Sequence, residues 1–485
     1  MKGDFSRNIF QPARHYSTVL MQQGRVLLDA DWNEQASIFA YYLRSLARDL
    51  IGPYGGPETN CGFRIIVKAP DPDIPTGYPA EAFDHNFAIS RGHYYVGGIL
   101  CENDFLGIYA QGNPQIPAAH QPDYFPEELE NGTYIIYLDV WERHATALDD
   151  QLIREVALGP QGPDTSTRAR VVWQVRALKL DGTKHNNLEF NNLVCANTLP
   201  QGATAIHPGW EALLKEWQPA NRGLLRAKAE EADDPMNTNP CLISPEARYR
   251  GAENQLYRVE IHQASTASTP ATFKWSRENG SVVFPIRSAN GRKLTLEHLG
   301  RDARLSVEVG DWVEIEDYYL DRKDIVHAAP LLQIEEVSYE DLTVTLSGDA
   351  GANLVHPVLR LWNQEQGDSR IGGLDLRDGA AVIKEAPLGS SENWLNLEDG
   401  IRIQFVRPSG VTSVGYRPGD YWLIPARTAT GDVEWPGPVG NPAPVPPPGV
   451  EHHYAPLARI KVEATEISMV ADLRRTFPWL GTCLP

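Results

Sequence analysis

Between Trp32 and Leu50 the apolar positions recur at alternating steps of four and three: Trp32, Ala36, Phe39, Leu43, Leu46 and Leu50. That spacing is a heptad seam on an α-helix, narrower than the face of an ordinary surface helix. Asp31 can cap such a helix, with Glu34 three residues on as its capping-box partner. Gly52-Pro53 stops it, so the pattern predicts a helix over about 31–50. Before it, Val19 to Leu28 reads as extended, and residues 1–18 as a polar, irregular arm. A helix this amphipathic must lie on something. Two partners satisfy the pattern: the sheet of its own domain, or the same helix in another copy. In the second case Trp32, Phe39, Leu43, Leu46 and Leu50 form a candidate assembly interface.

Beyond the helix the period falls to two, and turn residues punctuate it. Phe63–Val67 reads as a strand. Phe87–Leu100 reads as a hairpin turned near Arg91-Gly92, with Gly97-Gly98 as a bulge or a close backbone approach. Tyr134–Trp141 is strongly β and finds its partner in Arg170–Arg176. Trp210–Trp217 is a short helix or loop. Arg222–Asp234 has helical composition, broken at Asp233–Pro240. Gln255–His262 alternates, with Tyr257, Val259 and Ile261 as the core face and Leu256, Arg258, Glu260 and His262 opposite. Asn279-Gly280 predicts a hairpin over Thr272–Phe284. Leu305–Ile315, Leu331–Val337 and Leu342–Leu346 suggest a small barrel, followed by a strand at Val358–Trp362. Asp399-Gly400 turns a hairpin over Trp394–Phe405, and a Pro-Gly-Asp turn opens the strand before Pro425. Pro436–Pro448 is an extended proline-rich loop, and a strand at Arg459–Val462 and the segment Ser468–Arg475 close the chain. The fold class is mainly β with minor α: a multi-domain chain of β-sandwich and small-barrel units plus one long N-terminal amphipathic helix. The divisions are 1–60 (arm and helix), 61–200 (first β-rich domain), 201–245 (irregular insertion or linker), 246–350 (second β-rich domain with the barrel) and 351–485 (C-terminal β-rich region).

Composition narrows the function. A chain of 485 residues is long enough for two to four domains with a sizeable core. Its net charge of −19 argues against nucleic acid or an anionic membrane surface as the main partner. The same charge obliges any self-assembly to use apolar or locally paired contacts. Cys61, Cys101, Cys195, Cys241 and Cys483 are far apart and form no CxxC, which supports neither a disulfide framework nor a zinc site. No secretion leader or membrane span is evident, so the expected location is the cytoplasm.

Candidate chemistry is sparse. His144 lies among Glu142, Asp149, Asp150 and Glu155, where an acid/base pair or a satisfied ion-pair network fits. His93 fits a half-exposed strand position. His452-His453 are candidate metal ligands, but adjacent strand residues face opposite ways and no companion ligand spacing accompanies them. Phosphate-loop, dinucleotide, nucleophile-elbow and metalloprotease motifs are all missing. The expectation is a non-enzymatic protein with no cofactor.

Six long motifs carry a resemblance. They are Met1–Arg7, Val19–Gln35, Tyr137–Arg143, Glu253–His262, Phe273–Gly280 and Gly419–Arg427. Together they resemble a family with an uncharacterised domain, encoded beside contractile injection systems and other phage-tail-like particles. The resemblance spans nearly the whole chain. It implies a structural component of the baseplate or the spike surroundings. Its implied partners are other copies of itself, as a trimer or hexamer ring, and neighbouring particle proteins. The alternative is a surface-recognition or carbohydrate-binding or carbohydrate-degrading protein carried by such a particle.

Overall fold

The computed structural model describes residues 1–76, 78–110, 119–121, 126, 128–159, 164–180, 208–218, 222–230, 248–302, 304–317, 329–351, 354, 356–411 and 414–478. Among them the fold is mainly β, with one long helix, α1 (Asp29–Ile51), and one short helix, α2 (Pro208–Trp217). No helix among the described residues is long and apolar enough to cross a membrane.

Three β modules are nested in one another. The outermost begins with a sheet ordered Thr476–Phe477, Tyr54–Pro57, Gly92–Val96, Ile99–Asn103. Its second sheet is ordered Glu466–Asp472, His453–Glu463, Gly132–Ala145, Arg168–Lys179. Both contribute to one core that includes Tyr94, Val96, Ile136, Leu138, Trp173 and Leu457. The expected pairing of Tyr134–Trp141 with Arg170–Arg176 is present, with Tyr137 opposite Arg176 and Trp141 opposite Val172. Trp210 of α2 is fully buried in the same core.

Inside this module sits a β-sandwich. One sheet carries Thr272–Ser276, Gln255–Gln263 and Tyr421–Arg427; the other carries Leu224–Ala229 and Ile401–Arg407. Tyr257, Val259 and Ile261 face the core between them, as the alternation indicated. Inside the sandwich, in turn, a closed six-stranded barrel occupies Val283–Trp362. Its closing strand, Pro357–Trp362, pairs with Trp312–Asp317.

Nesting corrects the linear division of the chain. The barrel closes beyond residue 350, and the strand from His453 returns to pair with Gly132–Val140. Residues 351–485 therefore contribute to all three modules and form no region of their own. Most of the stretch 201–245, including Asp233–Pro240, lies outside the described residues.

Four local expectations also change. First, α1 begins at Asp29, and Leu28 precedes it with no side-chain cap, so Asp31 is not the cap. The carboxylate of Asp29 instead accepts from the N–H and hydroxyl of Ser6, at 2.9 and 2.6 Å. Second, the hairpin near residue 90 turns at Gly97-Gly98, not Arg91-Gly92. Both glycines have positive φ, 60° and 83°, as a type I′ turn needs. A Cβ on Gly98 would stand 2.3 Å from the Arg44 carbonyl oxygen, so the expected close approach is real and is made to α1. Third, Leu224–Ala229 is a strand, not helix: Leu225, Ala227 and Ala229 alternate into the core while Arg226 and Lys228 lie on the other face. Fourth, Asn279-Gly280 has the expected positive φ values, 51° and 64°, but joins two modules. Thr272–Ser276 stays in the sandwich, and Val283–Asn290 pairs within the barrel.

Candidate functional site

The heptad seam of α1 faces solvent. Trp32 is 79% exposed, Phe39 58%, Leu43 67%, Leu46 56% and Leu50 59%. The helix buries Ala30 and Ile38 instead. At 3.6 residues per turn, Ala30 projects about 160° and Ile38 about 120° from the centre of the seam. The apolar stripe is thus turned away from the residues the helix buries, with Trp32 at its N-terminal end also lining a cleft against the body. Among the described residues, the seam therefore does not meet the sheet of its own domain, the first of the two partners considered for it.

Polar ties set the helix in place. Arg44 pairs with Glu142 at 2.6 Å, and the Gln35 side-chain oxygen accepts from Thr18 and the Val19 N–H. The segment leading into the helix adds exposed apolar side chains at Tyr16, Leu20, Met21, Val26, Leu27 and Leu28. Monomeric soluble proteins rarely leave a continuous apolar patch of more than a few hundred Å² uncovered. By that measure the seam is the strongest candidate contact surface.

The arm does the opposite of the seam and turns inward. Lys2 reaches Glu316 of the barrel at 2.6 Å and Glu260 of the sandwich at 3.5 Å. Asn279 donates to the Gly3 carbonyl at 2.8 Å, and the Met1 amino group donates to the Tyr421 hydroxyl at 2.9 Å. Arg427 donates to the Ser6 carbonyl, and Arg7 pairs with Glu434.

The face of Gln255–Gln263 opposite the core carries this ionic network. Arg258 bonds Glu260 at 2.6 Å and lies 3.7 Å above the Tyr421 ring. Lys274 pairs with Glu314 and sits 4.4 Å from the Trp362 ring centre. Arg360 clasps Glu316 through two bonds, at 2.8 and 2.7 Å, and donates to the Gly280 carbonyl. Burial alone would raise the Glu260 pKa, but Lys2, Arg258 and Lys274 hold it well below the usual carboxylate range. Arg360 and Lys2 do the same for Glu316. Alternation placed Arg258 and Glu260 on one face, but nothing in one strand showed that the face would meet Glu314, Glu316 and Arg360 about 50 to 100 residues later.

Between arm, helix and outer module lies a cleft of about 1120 Å³, lined in part by Trp32, Asn33, Trp141, His144 and Thr165. Burial pushes His144 down to about 4, with the Met1 amino group and Arg360 adding to the effect. Of its charged neighbours, Asp149 pairs with Arg143 at 2.5 Å and Glu142 with Arg44, while Asp150 and Glu155 accept from the Leu152 and Ala157 N–H groups. The His144 Nε2 is buried with no hydrogen-bond partner among the described residues.

The two C-terminal histidines are separated in role. His452 bonds Asp139 at 2.7 Å and stacks on Trp141. His453 packs on Gly97. No group of three or more His, Cys, Asp or Glu side chains among the described residues is arranged to hold a metal ion. His93 is half-buried on its strand and contacts Asn60. Cys61 and Cys101 are free thiols; Cys195, Cys241 and Cys483 lie outside the described residues.

A family of unknown function, DUF6519, matches residues 1–217 and 212–466. The chain belongs to that family. No curated protein and no solved structure matches it. The matched span takes in the arm, the seam and the whole ionic network, so these features lie within DUF6519 and not in an appendage to it.

Proposed function

We propose that the chain is a structural component of a contractile injection or phage-tail-like particle, at the baseplate or around the spike, acting through self-assembly and contacts to other particle proteins. The observation that carries this reading is the solvent-facing seam of α1, an apolar stripe on an otherwise strongly acidic protein. The motif resemblance supplies the setting. Copies bearing −19 each repel one another, so a stable contact requires a surface that buries no net charge. Light scattering on the purified chain tests the reading. A defined oligomer that Phe39→Asp with Leu43→Asp reduces to monomer supports it. A monomer at micromolar concentration, unchanged by the substitutions, sinks it.

The cleft favours a second reading, recognition of a surface carbohydrate. Trp32 and Trp141 line it beside the hydrogen-bonding side chains of Asn33, Thr165, Ser166 and Thr167, a combination suited to sugar stacking. Tryptophan fluorescence titrated with an oligosaccharide panel separates the readings: a saturable change lost in Trp141→Ala supports recognition, and a flat response across the panel removes it.

A further inference from the structure

We propose that α1 pairs antiparallel with α1 of a second copy, about a two-fold axis beside residue 41. The inference rests on the self-assembly reading and adds the identity and direction of the partner.

The seam reads the same in both directions: its steps are four, three, four, three, four. Reversing one helix therefore places every seam residue opposite another. Trp32 meets Leu50, Ala36 meets Leu46, and Phe39 meets Leu43. Each layer then joins a larger side chain to a smaller one, as close packing requires. A parallel pair stacks Trp32 on Trp32 beside Ala36 on Ala36, an overfilled layer next to a void, and both are unfavourable. Side chains near the axis suit the reversed pair as well. Ala40 flanks the seam, and its small size lets the two backbones approach.

Charge and area agree. At 100° per residue the seam spans an arc of about 80°, and Asp29, Asp31, Glu34, Arg44, Arg48 and Asp49 all fall outside it. Antiparallel helices also oppose their dipoles favourably. The five large seam side chains expose roughly 600 Å² per copy, and a standard interface takes about 800 Å² from each partner. Leu20, Val26 and Leu27, all more than three-quarters exposed just before the helix, supply the remainder. The stripe is about 27 Å long and unobstructed on the side away from the body.

The proposal has a consequence for symmetry. A contact that is the same on both partners is isologous and closes on two copies. Rings with an odd number of copies cannot be joined through this helix alone. A hexamer using it is a trimer of dimers.

Cysteine cross-linking of the full chain tests the direction. Chains carrying Trp32→Cys and Leu50→Cys are co-expressed and treated with a short bis-maleimide, with unsubstituted chain as the control. Covalent dimers joining position 32 to position 50, with few 32–32 or 50–50 products, are the expected result. Because Trp32→Cys removes part of the seam, Ala40→Cys is the companion variant. It leaves the seam intact and cross-links to its own copy only if the pair is antiparallel. Dominant 32–32 and 50–50 products overturn the antiparallel pair while leaving self-assembly in place. A light-scattering oligomer with no helix cross-links in either design overturns the helix pairing altogether. A monomer in light scattering overturns both this proposal and the reading it rests on.

Discussion

Replacing Lys2 by Met and, separately, Glu316 by Gln perturbs the same contact from its two sides, and the two changes are expected to differ in size. The network holds four cations, Lys2, Arg258, Lys274 and Arg360, against three carboxylates, Glu260, Glu314 and Glu316. Lys2→Met leaves three of each. Glu260 keeps Arg258 and Lys274, and Glu316 keeps the bidentate Arg360. The Lys2 side chain is also 23% exposed, which screens what it contributes. Its loss is expected to cost about 1–2 kcal/mol. Glu316→Gln leaves four cations around two carboxylates and strips Arg360 and Lys2 of their shared partner. Removing one member of a buried pair in this way costs roughly 3–5 kcal/mol.

Urea unfolding followed by tryptophan fluorescence reads the difference, because Trp362 donates to Glu314 within the network. The nested chain need not unfold in one step, so the transition reported by the barrel and sandwich is the relevant one. In thermal scans the two costs correspond to shifts of roughly 3–6 °C and 8–15 °C. If Lys2→Met proves as damaging as Glu316→Gln, the charge count is the wrong guide and Lys2 acts through packing. If neither changes the transition, the buried ions contribute nothing net to the interface.

Three further outcomes follow from the same geometry. Phe39→Asp with Leu43→Asp is expected to change the melting temperature of the dissociated chain by no more than about 1 °C, because both side chains already face solvent, and calorimetry checks it. Stability is expected to fall between about pH 6.5 and pH 4: buried His144, near 4 in the folded state, stays neutral there while the unfolded chain takes up a proton. His262, pushed to about 3 by burial with Lys274 adding, acts in the same direction, so urea midpoints across this range should flatten by about one proton in His144→Gln. Gly98→Ala is expected to cost about 2 kcal/mol or more, since φ is +83° and the new Cβ meets the Arg44 carbonyl; faster hydrogen exchange in α1 is the accompanying signature.

What the sequence made legible was local. Heptad spacing located α1 to within two residues at its start, and alternation sorted the two faces of Gln255–Gln263 correctly. Turn chemistry placed the positive φ of Asn279-Gly280 and Asp399-Gly400. The failures share a physical cause. Asn279-Gly280 specifies a backbone reversal, but which strand lies beyond it depends on contacts from far along the chain. Arg222–Asp234 looked helical because Arg226, Lys228 and Glu230 mask a period of two that only pairing with Ile401–Arg407 reveals. Asp31 looked like a cap because acids favour first turns, yet Asp29 was already engaged by Ser6 from outside the helix. The ionic network was least visible, because its members come from the arm, the sandwich and the barrel.

The acidic surface and the uncharged seam act as two parts of one specification. A chain of net charge −19 opposes association through most of its surface, which limits unwanted contacts as well as wanted ones. Lys2, Arg258, Lys274 and Arg360 are committed inside the network and Arg44 to Glu142, so these five cations are not offered to another acidic copy. The stripe from Trp32 to Leu50 is both exposed and uncharged along its whole length. Directionality then has to come from shape, because no charge lies within the arc to impose it. The graded sizes of Trp32, Ala36, Phe39, Leu43, Leu46 and Leu50 provide that shape, and they fill evenly only when the second helix runs the other way.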